Sequence, residues 1–227
     1  MFKKITAVLL CIFLIQTGSA QNDKPDFKKI EAAIKDKNSP LFYSALMKRY
    51  NDNDTTLTLE EWRYLYYGFS CQDNYSPYGK PSVQDDLSKA IKAEETSKVI
   101  ELEKMALAEY PFNLRDLYRL STTLEDKGEA ATARLYHVKL LGVARAIMST
   151  GDGTTDSTAM YVVSVDHEYD LISLLGFTFG NSQALIHAHG AEMDKMKLAD
   201  NKDNIKYLYF NVERLFAAMG KMFEKKN

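Results

Sequence analysis

Cysteine is scarce in this chain: Cys11 and Cys71 are the two among 227 residues. Cys11 falls inside an apolar run that reads as a removable leader, so Cys71 is left without a partner. An intrachain disulfide in the mature chain is thereby excluded, and the core has to hold the fold without covalent help. An excess of positive charge is also missing. With Lys3 and Lys4 lost in the leader, 27 of the 29 basic residues remain against 31 acidic ones, a formal charge of −4. Such a balance argues against nucleic acid and against an anionic membrane surface as partners. After Ala20 no apolar run is long enough to span a bilayer, so no transmembrane segment is expected. The sequence has no GxSxG, no phosphate-cradling glycine loop, no GxGxxG and no HExxH. Serine hydrolase, nucleotide, dinucleotide and zinc-peptidase readings therefore lack any motif, and no cofactor is implied.

What is present begins with the leader. Lys3 and Lys4 precede the apolar stretch Ile5–Ile15, and Gly18-Ser19-Ala20 offers small residues for a signal peptidase. This is the layout of a cleavable secretory signal, too short to be a membrane span. Leu10 and Ile12 flank Cys11 where a lipid-anchor site would have small residues, so release after Ala20 is expected, with Gln21 as a new N-terminus able to cyclise. The expected location is the periplasm or beyond. The remaining 207 residues suit one domain or two small ones, and a hydrophobic fraction of 45% is that of a chain with a packed core.

Hydrophobic spacing predicts helices over most of the first part. Residues 22–38 carry the stripe Phe27, Ile30 and Ile34. Ser39-Pro40 suits the opening of the next helix, with Phe42, Ala45, Leu46 and Tyr50 on its apolar side. Thr58 and Glu61 have the capping-box spacing ahead of Leu59, Trp62, Tyr66 and Phe69. A turn-rich loop fills 70–82. Residues 84–110 are helical in pattern with a break near Glu95-Thr96. Residues 114–126 and 129–149 then form a hairpin about Lys127-Gly128. Its Leu120, Ser121, Leu124, Gly128, Ala133, Tyr136 and Leu140 resemble a tetratricopeptide unit. Only about one and a half units are visible, so a repeat array is not expected.

Gly151-Asp152-Gly153 marks a change of period. Strands are predicted at 158–165, 183–189, 192–199 and 204–211, a short helix at 166–175, and a closing helix at 212–223 with Leu215, Phe216, Met219 and Phe223 inward. The fold class is α+β: a helical part, 21–150, then a small antiparallel sheet with a C-terminal helix, 151–227, together forming one continuous domain over 24–225.

Four places could carry chemistry. Asn51–Asp54 invites a calcium reading, but Leu57 and Arg63 fall where the loop glycine and the closing acid should stand, so a solvated turn is the better account. His187 and His189 alternate on an expected strand and could approach one metal, with Glu192, Asp194 or His167 nearby; satisfied polar residues at a strand end are the simpler reading. Asp166-His167-Glu168-Tyr169-Asp170 gathers acids about a histidine, which is hydrolase-like, although acids in a first helical turn serve the helix dipole equally. Cys71 has no family-specific flank and reads as a spectator thiol.

The densest feature is aromatic: Trp62, Tyr64, Tyr66, Tyr67, Phe69, Tyr75 and Tyr78 fall within 62–79. Tyr64, Tyr67, Tyr75 and Tyr78 are not claimed by the expected stripe. They are the contact candidates for a protein or glycan partner, though the same rings could clamp the loop onto its helix.

Several runs are familiar in this order: Phe27–Ile30, Asn38-Ser39-Pro40, Asp54–Glu60, Tyr66–Phe69, Tyr75–Gly79, Tyr161–Val165 with His167-Glu168-Tyr169, and Leu208–Val212. Together they resemble an uncharacterised family of exported Gram-negative bacterial proteins, domain of unknown function 4919, over nearly the whole mature chain. The resemblance implies one family domain and an exported context. It brings no activity, cofactor or catalytic residue. The expected function is a non-catalytic binding or interaction module, with a hydrolase at 166–170 or a metal protein through His187 and His189 as alternatives.

Overall fold

The computed structural model describes residues 23–224, with side chains to residue 220. The leader and its cleavage site lie outside the described residues. Among those described there are nine α-helices and four strands. The helices are α1 (Phe27–Lys35), α2 (Tyr43–Asn51), α3 (Leu59–Phe69), α4 (Gln84–Lys92), α5 (Thr96–Glu109), α6 (Leu114–Asp126), α7 (Ala130–Met148), α8 (Asp166–Leu174) and α9 (Glu213–Glu224). The strands are β1 (Met160–Tyr161), β2 (Phe179–Ala188), β3 (Ala191–Leu198) and β4 (Tyr207–Asn211). The class is α+β, as expected.

Local chemistry explains most of the boundaries. Asp26 caps α1, accepting from the amides of Lys28 and Lys29. At α3 the Glu61 amide donates to Thr58 Oγ1 (3.2 Å) and the Thr58 amide donates to Glu61 Oε2 (2.7 Å), a complete capping box. The break between α4 and α5 sits at Glu94, whose φ of +56° ends the first helix. Asn113 caps α6, and Gly128 at φ +85° turns α6 into α7. In α2 the start differs from expectation. Ser39 Oγ accepts from the Leu41 amide within a turn, so the helix begins at Tyr43 rather than at Pro40. The stripes also lose members: Ala45, Leu59 and Phe216 are exposed.

The sheet order is β1-β4-β3-β2. β2, β3 and β4 are antiparallel, but β1 joins β4 in parallel, so the sheet is mixed rather than wholly antiparallel. β1 is also far shorter than the expected 158–165. Asp156–Thr158 winds into a 3-10 turn, and beyond Tyr161 the backbone takes a side-chain partner: the Val163 amide donates to Tyr66 Oη (3.1 Å). One cluster of buried residues runs from Ile30 through α3, α6, α7 and α8 to Leu208, Phe210 and Leu215. A second joins α4 to α5 through Leu87, Ala90, Val99, Leu102 and Ala106. Gly142 lets α7 close onto α3, since a Cβ there would lie 2.2 Å from the Trp62 ring. No helix among the described residues is long and apolar enough to cross a membrane.

Candidate functional site

The aromatic segment divides between core and surface. In α3, Trp62 and the four consecutive residues Tyr64–Tyr67 are all buried. Beyond its exposed first turn the helix is covered by α1, α2, α7 and the segment 161–163. The Tyr67 hydroxyl donates to the Tyr161 carbonyl (3.1 Å), and its ring meets Phe27 edge-on at 6.0 Å. Burial pushes its phenol far above the ordinary range. The Tyr67 ring is wholly enclosed and presents no surface to a partner, so it passes from contact candidate to core. Tyr64, also largely buried, keeps an edge on a second cleft beside Leu59, Glu60 and Arg63. The charge-free run Tyr64-Leu65-Tyr66-Tyr67 was the available signal, because a helix with one wet face would interrupt it. Tyr75 is half-buried; its hydroxyl donates to the Val163 carbonyl (2.7 Å), and its ring packs edge-on to Phe69. Only Tyr78 of the four is well exposed, at 58%.

The loop lines a cleft of about 330 Å³ between itself, α1 and α9. Its walls are Glu31 and Lys35 from α1, Ser70, Cys71, Gln72, Asp73 and Tyr75, and Arg214, Ala217 and Ala218 from α9. Arg214 fixes one wall. Its Nε donates to Ser70 Oγ (3.0 Å), its Nη2 to the Ser70 carbonyl (2.6 Å) and to Cys71 Sγ (3.3 Å), and its guanidinium lies 4.7 Å from the Phe27 ring centre. Burial raises the Cys71 thiol above its ordinary value and the Arg214 charge only partly opposes this. The thiol therefore stays protonated at neutral pH, which is the wrong state for a nucleophile. The cleft offers mixed charge, one side-chain amide and one aromatic edge.

Of the acids and histidine of 166–170, His167, Glu168 and Asp170 are built into the interior, whereas Asp166 is exposed. His167 is fully buried. Its Nδ1 lies 2.8 Å from Tyr66 Oη, which already accepts from Val163, so the tyrosine donates and Nδ1 accepts. The other ring nitrogen then carries the proton and serves the backbone at Phe112. Burial drives the imidazole down to about 3. Glu168 is wholly buried, and burial with the nearby Asp194 charge pushes it up to about 9. Asp194 accepts from Gln183 Nε2 (2.7 Å), and Gln183 Oε1 accepts from the Tyr169 hydroxyl (2.7 Å). Asp170 Oδ1 receives Arg115 through Nε (3.0 Å) and Nη2 (2.8 Å), yet burial still raises its carboxyl to about 6. The cleft that reaches Asp166 and His167, beside Gly79 and Tyr110, holds about 20 Å³, room for a single water.

The histidine pair does not share a strand face. His187 lies in β2, its Nδ1 2.9 Å from Glu192, whereas His189 stands in the following turn at φ +53° with Nε2 3.2 Å from Asp156. No group of three or more potential ligand side chains among the described residues could hold a metal ion. Asp54 in the loop before α3 accepts from Thr56 and from Arg49, so its carboxylate is used within the turn.

A helical assembly closed by a four-stranded mixed sheet is the class of protein that these features define. Residues 28–221 match the profile of the family described as Domain of unknown function (DUF4919), and the chain belongs to that family. No curated protein and no solved structure matches it.

Proposed function

We propose that this chain is an exported, non-catalytic binding module that takes a protein or glycan partner at the cleft between the aromatic loop, α1 and α9. The observation that carries the reading is the cleft itself. Its volume of about 330 Å³ stands at the small end for ligand sites, roughly 300–1,000 Å³. Arg214, held by Ser70 and Cys71 through Nε and Nη2, has Nη1 left to donate. Gln72 keeps its side-chain oxygen while its nitrogen donates to the Gly68 carbonyl (2.8 Å). The Tyr75 ring adds a stacking edge, and these are groups of the kinds that recognise sugars and peptide ends. Tyr78 is exposed further along the same loop, outside the cleft lining. The helical hairpin α6–α7, which resembles a tetratricopeptide unit in its pattern, fits a role in interaction rather than catalysis. The hydrolase alternative is disfavoured because His167, Glu168 and Asp170 are buried and turn to different neighbours, leaving Asp166 alone at the surface.

Short peptides and short glycans titrated against the 15N-labelled mature chain test the site. Shifts are expected to cluster at 70–75 and 214–218 and to weaken in Gln72→Ala. Shifts elsewhere, or none with any probe, would remove the cleft from the reading. Export is a separate expectation. Protein recovered outside the cytoplasm of a Gram-negative host is expected to begin at Gln21, carried as pyroglutamate, by mass spectrometry. An intact Met1 in that material would refute the cleavage, and retention in the cytoplasm would refute the export.

A further inference from the structure

We propose that β2 is a self-pairing edge, and that two copies of this chain join through it into one continuous eight-stranded sheet. β2 ends the strand order, so among the described residues one of its edges is unpaired. Proteins ordinarily protect such edges with charge, proline, bulges or brevity. The opposite end of this sheet follows that habit, since β1 has only two residues. β2 has ten, Phe179 to Ala188, with no proline, lysine, arginine, aspartate or glutamate among them. Its ladder to β3 is regular from Gln183 to Ala188, after an irregularity near Asn181. Gln183, Ala184, Leu185 and His187 are exposed, and Leu185 is 52% exposed on the face that α8 covers further along.

The occupant follows from charge and symmetry. In an antiparallel pair about a two-fold axis, each residue meets a symmetry mate of the same strand. A charged edge would oppose itself in such a pair or demand a patterned partner; this one carries no fixed charge. Residues that face each other must share a face of the sheet. Gln183, Leu185 and His187 lie on the helix-bearing face, while Ala184, Ile186 and Ala188 lie on the other. Centring the axis at Leu185 satisfies that rule throughout. Leu185 meets its twin, Ala184 meets Ile186 and Gln183 meets His187. A small residue then faces a large one, and an amide faces an imidazole. The exposed leucine is covered, and the open backbone groups of both edges are paired.

Sedimentation velocity on the mature chain, from ~1 to ~100 μM, reads the proposal. The expected result is a concentration-dependent dimer. Leu185→Lys and Leu185→Glu should each sediment as folded monomers, because like charges meet across the axis. An equimolar mixture of the two should regain the dimer. Leu185 is exposed, so neither variant threatens the fold, and unchanged circular dichroism checks this. A monomeric wild type over the whole range, or variants that remain dimeric alone, would overturn the proposal. A mixture that stays monomeric while the wild type dimerises would overturn the axis at Leu185.

Discussion

Arg119→Met is expected to cost the fold about 3–5 kcal/mol at pH 8 and distinctly less at pH 5. Arg119 stands between two carboxyls on neighbouring helices. Its Nη2 donates to Asp116 Oδ1 (2.6 Å) within α6, and its Nε donates to Glu103 Oε1 on α5. Glu103 is wholly buried and Asp116 nearly so, and the second oxygens of both lack partners among the described residues. Burial, with the Asp116 charge beside it, pushes Glu103 up to about 8 even with the guanidinium in place. Among the described residues no other cation is bonded to both. Removing Arg119 therefore leaves Glu103 without its bonded cation and Asp116 with only the unbonded Arg115 charge, which is the costly half of breaking a buried pair. Methionine fills much of the same volume, so the loss reads charge more than packing.

The pH dependence has a fixed sign. Glu103 binds its proton more tightly in the native state than the ordinary carboxyl does, so the native state holds a proton that the unfolded state releases. Stability contributed by this group therefore falls as pH rises from about 4.5 to about 8. Without Arg119 the proton is held more tightly still, and the decline extends to higher pH. Glu103→Gln in the same background should flatten it. Urea unfolding at pH 5 and pH 8 measures all three chains. An equal loss for Arg119→Met at both values would mean that packing, not charge, was removed.

Elements governed by neighbours in sequence were legible. The capping box of α3, the break at Glu94 and the turn at Gly128 each depend on residues within a few positions of one another. The strand at 158–165 was not legible. Its valine-rich run Val162-Val163-Ser164-Val165 has strand chemistry, but the Val163 amide is taken by the hydroxyl of Tyr66, far earlier in the chain. The parallel partnership of β1 with β4 also crosses two strands and a helix, so no spacing announces it. The aromatic segment stood out by composition, while its division into core and loop depended on which helices cover α3. The cleft depends on Arg214 reaching back to Ser70 and Cys71, which no local pattern contains. What reads as an acid–histidine motif at 166–170 is a contiguous run whose side chains face different surroundings. His167 meets Tyr66, Asp170 meets Arg115, and Glu168 lies near the Asp194 charge with neither oxygen hydrogen-bonded among the described residues.

Tyr66→Ala is expected to cost about 3–5 kcal/mol, and Tyr66→Phe about 1–3 kcal/mol, although the second removes a single oxygen. The ring is wholly buried, edge-on to Tyr67 at 4.9 Å and to Phe112 at 6.3 Å, so alanine leaves a cavity among residues that α3, α6 and α7 hold in place. The hydroxyl has a different task. It accepts the Val163 amide and donates to His167 Nδ1, linking α3, the end of β1 and α8 at one atom. Phenylalanine orphans a buried N–H and a buried ring nitrogen together, and each then bears its own desolvation cost. His167 supplies the check. Its native value of about 3 lies below the ordinary 6.5, so the unfolded state takes up the proton first and stability falls as pH drops through that window. This trend runs against that of Glu103, and the balance between them shapes the acid side of the stability profile. The phenylalanine variant keeps His167 buried and neutral. Its stability curve should therefore lie below that of the wild type by a nearly constant amount from pH 5 to pH 8. His167→Gln should lose the acid-side decline instead. A phenylalanine variant as stable as the wild type would show that the hydroxyl joins nothing, and that packing alone holds α8 against α3.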